Sequence, residues 1–514
     1  MNFGIMKKNL IFFVLFGLYI LVFLGTSYRL YNRLGVFGCG DECINYTAAY
    51  FLNTGKALYT EVFFNRQPIM AYASLAVQWV THPTNLYSLV LYHRLAFMVY
   101  AFIMGVFLIW RFRVPALLFL ILYEGTKFYV YGYQFIWEAV IVYPLAYAFS
   151  ATWCALYKKK TWGIDWYLVP LSAALVFWTR EPYVPVAFAL LVTFIWVLRK
   201  DRRVYTTILL SLFFCIVPYI WIPLGEYTRQ VIEVNLRAAG SAFDIHSLLY
   251  AFGYPVAIFV SGKQSFFRLI QIGMMAFVGL GMYFGIRSTK KYTPFLFIFG
   301  ILGLAAIRSV APGIMYFEAF HMLPWFGLAC MTCALVINSI TVHKTKTIVT
   351  IGFIIFSLWA FVAPQAFIWE KVDKLAEFES QYAKYSHYSQ AIKIITTPAQ
   401  QIFLDMWDDV IYWESGRNSS YPYSLYIPVA AGVSPYKEAR TAMFIDNPPA
   451  IYYSCPVIQS EYNSLPADVR LLYTQLLSDG KPSCLYVHNL VMQTMNNIQR
   501  EELSRIGYTE PKVR

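Results

Sequence analysis

The chain has 514 residues, 59% hydrophobic and 19% aromatic but only 13% charged, with a mean hydropathy of +0.51. Together with apolar runs near bilayer length, these values exclude a large soluble enzyme and indicate an integral membrane protein. The formal charge of +13 is not a nucleic-acid signal, because the basic residues fall in short clusters between apolar spans rather than on one face.

Lys7 and Lys8 precede an apolar run over 10–25 that reads as a signal peptide or a first transmembrane helix. The length of the run favours an uncleaved helix. Further spans are expected at 88–110, 114–130, 134–157, 164–180, 183–198, 204–224, 267–286, 292–307, 318–340 and 347–365, about eleven in all. The basic clusters at Lys7/Lys8, Arg111/Arg113, Lys158 to Lys160, Arg199 to Arg203, Arg287 to Lys291 and Lys344/Lys346 fall on alternate connections, which the positive-inside rule makes cytoplasmic. The longer connections 28–87, 225–266 and 308–317, and everything after about 366, carry most of the loop acids and read as extracytoplasmic. The expected fold is an all-α polytopic membrane domain over 1–366, N-terminus in and C-terminus out, followed by an extracytoplasmic α/β domain over 367–514.

In that tail a polar helix is expected over 370–395, ended by Pro398. Short strands over 401–404, 450–454 and 485–487 alternate with helical patterns over 467–477 and 489–506, which suggests a small α/β domain. Among the eight cysteines, Cys330 and Cys333 lie in an apolar span without partner ligands, so no metal is assigned there. Bridges Cys39–Cys43 and Cys455–Cys484 stay open and depend on an oxidising compartment.

The first outer loop carries the sharpest signal. Asp41 and Glu42 stand before Ile44, Ala48, Phe51 and Leu52, which share one helical face, with Gly55 as a stop; this reads as a helix lying in the membrane interface. Asp41 is either that helix's N-cap, a structural role worth ~1 kcal/mol, or a general base on an acceptor hydroxyl. Arg66, in the segment 63–68, is either a snorkelling interfacial arginine or a bidentate ligand for a phosphate leaving group. Arg180 and Glu181 sit at a tight outer turn, where they could neutralise each other. Arg308 has no adjacent acid and is the better phosphate ligand, while His321 near a helix start suits a hydrogen-bonded structural role. The aromatic load is mostly packing and interfacial belt.

The acidic pair, the segment 48–61 and the arginine-proline segment 63–68 resemble the GT-C membrane glycosyltransferases, in particular the protein O-mannosyltransferase and lipid A aminoarabinose transferase branch. The tail segment 408–417 and the loop from Arg308 to Pro324 are similar to stretches of that family. The resemblance implies an inverting transferase at the plasma (inner) membrane, moving a sugar from a polyprenyl- or dolichyl-phosphate donor to an extracytoplasmic lipid, glycan or protein. It implies Asp41 as the catalytic carboxylate with Glu42 beside it, and Arg66 with Arg308 on the donor phosphate. Tyr59, Arg180, Glu181 and His321 are candidates to line the pocket. Asn65 stands where the family has an acid and Gln67 where it has a proline, so a divalent metal stays open and no cofactor is assigned. A polytopic transporter or lipid flippase is the alternative; it predicts inverted repeats and ionisable groups near the bilayer midplane.

Overall fold

The computed structural model describes residues 3–31, 34–35, 38–158, 161–239, 265–306, 310–311, 314–315, 319–362, 374–405, 408–427, 430, 433–455 and 465–511. Contacts gather the chain into two compact units, each made of three stretches: 1–34, 94–218 and 241–372 in one, and 35–93, 219–240 and 373–514 in the other. The domain boundary expected at 366/367 falls outside the described residues.

In the first unit a helix occupies each of the eleven stretches expected from hydropathy, from Phe3–Tyr31 to His343–Val362. Among the described residues, seven helices are long and apolar enough to cross a bilayer. Others, such as Asp165–Phe177 with 13 residues and Thr293–Ala306 with 14, reach only ~20 Å at 1.5 Å per residue, short of the ~30 Å hydrocarbon core. Leu21, Leu209 and Ile355 are 68%, 66% and 62% exposed. Apolar surface repeated along so many long helices is suited to lipid rather than water, which marks a multi-pass membrane protein.

The helices Trp137–Trp153 and Leu323–Asn338 form the centre of this unit and are buried along almost their whole length. Gly327 lies so close to Val142 that a Cβ there would collide with it, and such small residues are what let membrane helices approach. Several buried charges among the described residues of this unit are paired. Arg111 donates from Nε to Asp165 Oδ1 at 2.7 Å and from its terminal nitrogen to Oδ2 at 2.5 Å, while Tyr147 donates to the same carboxylate at 2.8 Å. The Trp162 backbone N–H completes the set at 2.7 Å. Arg111, which the sequence offers as a topology signal, is thus buried and serves to tie the helix Leu86–Phe112 to Asp165–Phe177.

The second unit joins the connection 35–93 and the segment 219–240 to the tail. The tail carries a five-stranded sheet of β3 (Ile402–Leu404), β4 (Ile451–Tyr453), β5 (Tyr473–Ser478), β6 (Lys481–His488) and β7 (Tyr508–Thr509), in the order β3-β4-β6-β5-β7; β1 (Val310–Ala311) and β2 (Ile314–Met315) form a separate pair in the first unit. Only β3 and β4 run parallel. An aromatic core of Phe403, Tyr421, Tyr426, Phe444, Tyr452 and Tyr486 fills the space between this sheet and the helix Tyr436–Asp446. The expected mix of strands and helices is present, with three corrections. The helix expected over 489–506 is two, Asn489–Thr494 and Asn497–Arg505. The helix expected over 370–395 is two, Lys374–Gln381 and Ala383–Ile395, separated at the buried Tyr382. The helix expected over 467–477 is a 3-10 turn followed by β5. Asp479 and Gly480 both have positive φ, 49° and 77°, the geometry of a two-residue hairpin turn, and Ser478 stands opposite Lys481 across it. Sequence periodicity pointed to a helix, and the turn decides otherwise.

Cys39 is bridged to Cys43 and Cys455 to Cys484. Beside the second bridge, Tyr453 donates to Asp408 at 2.6 Å. Asp409 is 1% exposed, and neither of its carboxylate oxygens has a hydrogen-bond partner among the described residues. Burial, helped by the Asp408 charge, pushes its carboxyl well above the usual carboxylate range.

Asp165→Asn is expected to cost about 3–5 kcal/mol by leaving Arg111 buried without its counter-charge, read as a large drop in the thermal midpoint of the detergent-solubilised protein. Asp409→Asn should do the opposite. The folded chain holds the Asp409 proton to higher pH than the unfolded chain, which releases it near pH ~3.9, so stability falls as pH rises above that value. The asparagine variant should melt higher than wild type at pH 7 to 8, with the two curves converging near pH 4.

Candidate active site

Asp41 stands immediately before the helix Glu42–Asn53, yet its side chain makes no capping hydrogen bond. The structural explanation offered by the sequence, an N-cap, therefore does not account for it. Asp41 is half-buried, whereas the adjacent Glu42 is fully buried. The Glu42 backbone N–H bonds to the Cys39 carbonyl at 2.7 Å, and the Cys39–Cys43 bridge closes around the acidic pair. The first carboxylate is thus presented and the second enclosed. The helix itself is not covered on one side only: residues 42–49 and Phe51 are all buried, by packing against Ile69–Thr81 and Val410–Ser415 within the same unit.

Arg66 lies in a loop gripped by one helical segment, 224–239. Gln230 accepts the Phe64 N–H at 2.8 Å and donates to the Tyr59 carbonyl at 2.6 Å. Tyr227 donates to Gln67 Oε1 at 3.0 Å, and the amides of Asn65 and Asn235 pair at 2.9 Å. Asn235 also donates to the Asn65 carbonyl at 2.8 Å. Tyr227 and Asn235 thereby fix both neighbours of Arg66, which is itself half-buried, and Gln230 holds the loop at Phe64 and Tyr59. Asn65 and Gln67, the two departures from the family pattern, are the residues that receive this grip. Tyr59 is fully buried and donates to the Arg66 carbonyl at 2.9 Å; it braces the loop from inside.

The other candidates lie in the first unit. Arg180 donates from Nε to Glu138 Oε1 at 2.8 Å, while Glu181 stands farther away at 3.8 Å. His321 Nδ1 shares the same Glu138 oxygen at 3.0 Å, and Tyr183 donates to the His321 carbonyl at 2.6 Å. The principal partner of Arg180 is thus Glu138, which the sequence reading missed. Its signal was there: a lone acid in an apolar run at the start of a span is a functional candidate by default. Glu138 Oε2 is buried with no hydrogen-bond partner among the described residues. A second buried set that sequence reasoning missed, Lys127 with Glu124 at 2.6 Å and Tyr143 donating to Glu124 at 2.6 Å, lies on neighbouring helices.

The expected site residues thus fall into two groups, Asp41, Glu42, Tyr59 and Arg66 in one unit and Arg180, Glu181 and His321 in the other. Arg308 lies outside the described residues. Among the described residues, no three His, Cys, Asp or Glu side chains gather as a metal site would require.

No protein-family model matches the chain, and no curated protein matches it in sequence. Among solved structures it is similar to the Archaeoglobus fulgidus oligosaccharyltransferase in the apo form, with a TM-score of 0.48 and 10% identity over 92% of this chain and 74% of that one. The same enzyme tethered to an acceptor peptide containing the NVT sequon gives 0.46 and 9% over 93% and 74%. Scores of this size do not by themselves establish a shared fold, so the functional reading rests on the chain's own residues.

Replacing Gln230 with alanine leaves the Phe64 N–H and Tyr59 carbonyl without their partner, at about 1–3 kcal/mol. Hydrogen exchange across 59–68 should then accelerate roughly tenfold or more. Unchanged exchange would show that the segment 224–239 does not hold the loop.

Proposed function

We propose that the chain is a GT-C-type inverting glycosyltransferase that moves a sugar from a polyprenyl-phosphate carrier to an extracytoplasmic acceptor. The observation that carries this reading is Asp41: a half-buried carboxylate in a disulfide-closed loop that makes no capping hydrogen bond to the helix behind it. A carboxylate presented in this way, without a capping role, suits a general base. In the reaction Asp41 takes the proton from the acceptor hydroxyl, whose oxygen attacks the anomeric carbon from the face opposite the carrier. The bond from that carbon to the phosphate oxygen breaks, and the carrier phosphate leaves with the electron pair. Arg66 and Arg308 are assigned to the charge developing on it. The grip on Asn65 and Gln67 supports this role for Arg66, because an arginine that must meet a phosphate gains from a loop whose geometry is set in advance. Glu42 is assigned to the interior side of the same loop, where it helps set the position of Asp41. A polytopic arrangement of about eleven crossings with the tail outside agrees with the basic clusters.

The buried sets Glu138–Arg180–His321 and Glu124–Lys127 favour a second reading, a transporter or lipid flippase, since such proteins place ionisable groups among their helices. The two readings separate cleanly. In membranes supplied with lipid-linked sugars, Asp41→Asn is expected to lower covalent sugar transfer by about 10²-fold or more, with protein level and melting unchanged. Full transfer by this variant would refute the mechanism. Movement of substrate across proteoliposomes without any covalent product would favour transport.

A further inference from the structure

A cavity of about 330 Å³ opens in the second unit, away from the acidic pair, lined by Lys56, Gln401, Ser419, Pro422, Ala442, Asp446 and Asn447 among others. Its volume is at the small end of the range that ligand sites occupy; it suits a small polar ligand and not a folded partner. The lining is divided. Ala439, Ala442 and Met443, on one face of the helix Tyr436–Asp446, make a small apolar wall with Pro422. Opposite chemistry comes from amides and charges.

The hydrogen bonds leave capacity on these groups. The Asn447 amide nitrogen donates to Gln401 Oε1 at 2.7 Å and to the Ser420 carbonyl at 3.1 Å. That leaves Gln401 Nε2 as a donor and Asn447 Oδ1 as an acceptor. Lys56 spends one N–H on Ser424 Oγ at 2.7 Å and keeps others. Asp446, an exposed residue of the lining, adds two acceptor oxygens. One cation and one carboxylate in a single cavity leave the lining without net charge, so a phosphate or a carboxylate ligand has no electrostatic advantage there.

An extended peptide would dock by adding a strand to a free sheet edge. Here the outer edge of β3 is already taken: Ile402 N–H bonds to the Asn418 carbonyl and Ser420 N–H to the Ile402 carbonyl, both at 3.0 Å. A pyranose matches what remains, with a hydroxyl edge that both donates and accepts and an apolar C–H face for the alanine-methionine wall. We propose that this cavity is a neutral-saccharide subsite, which holds a distal sugar of a glycan acceptor. Asp41 lies before the N-terminus of the helix Glu42–Asn53 and Lys56 beyond its C-terminus, so that 12-residue helix separates the two by roughly 18 Å. A glycan of several units would span them. The identity of the ligand as acceptor rests on the transferase reading; saccharide binding does not.

The test uses the full chain in nanodiscs and saturation-transfer NMR with neutral trisaccharides of mannose, glucose, galactose and N-acetylglucosamine. At least one is expected to receive saturation. Its affinity should fall tenfold or more both in Gln401→Ala, which removes a donor, and in Ala442→Trp, which fills the cavity from an exposed position without breaking a hydrogen bond. Asp41→Asn should leave binding unchanged. No transfer to any trisaccharide at millimolar concentration, binding unaffected by both cavity variants, or displacement by a neutral serine-containing peptide would each overturn the proposal. If saccharide binding follows the cavity variants while Asp41→Asn retains full sugar transfer, the subsite stands and the catalytic reading falls.

Discussion

Charge burial is the constraint around which the first unit is built. A charged side chain inside a helical membrane protein costs several kcal/mol unless another group answers it, and each set described here is answered by a residue on a different element. Asp165 takes Arg111 and Tyr147 from two other helices. Glu138 takes Arg180 and His321, which stand 42 and 183 positions away in sequence. Such pairs add little net stability compared with a well-packed apolar isostere. What they do supply is register: sliding one helix past another by a single turn would leave charges facing hydrocarbon. In a bundle whose apolar surface packs equally well in many arrangements, polar pairs of this kind select one.

The second unit solves a different problem, how to hold an irregular loop still outside the helices. The loop 59–68 has almost no regular structure of its own, and Tyr59 sits at a positive φ of 71°, a conformation that costs energy for a non-glycine residue. Its order comes from 224–239 on one side and from the tail on the other, where Phe63 N–H bonds to the Tyr423 carbonyl at 2.7 Å and Ser424 donates to the Glu61 carbonyl at 2.7 Å. Backbone groups that a loop cannot satisfy internally are satisfied by imported side chains.

Much of this was legible before the structure, and the failures have identifiable causes. Hydropathy located the helical stretches because burial in lipid demands long apolar runs, and the pattern behind Asp41 located the start of the helix Glu42–Asn53. Periodicity failed at 473–478, where the Asp479–Gly480 turn outweighs a weak helical pattern. Motif comparison marked Asn65 and Gln67 only as departures from a pattern; the side chains of Asn235 and Tyr227, more than 150 positions later, show what these residues bond. Glu138 was overlooked because one acid hardly alters the hydropathy of its window, although its chemistry is conspicuous. Long-range pairing of this kind leaves no local trace in a single sequence.

The bond between Lys56 and Ser424 closes 368 positions of chain. At synthesis rates of about 5–20 residues per second, some 20–70 s separate the emergence of its two ends. During that interval the connection 35–93, with its acidic pair, exists without the tail that completes it. The segment 56–63 therefore cannot reach its final hydrogen bonding in the order in which the chain is made, and a ribosome that stops early leaves behind helices bearing an unfinished loop. Order in that loop is conferred late, by Tyr423 and Ser424.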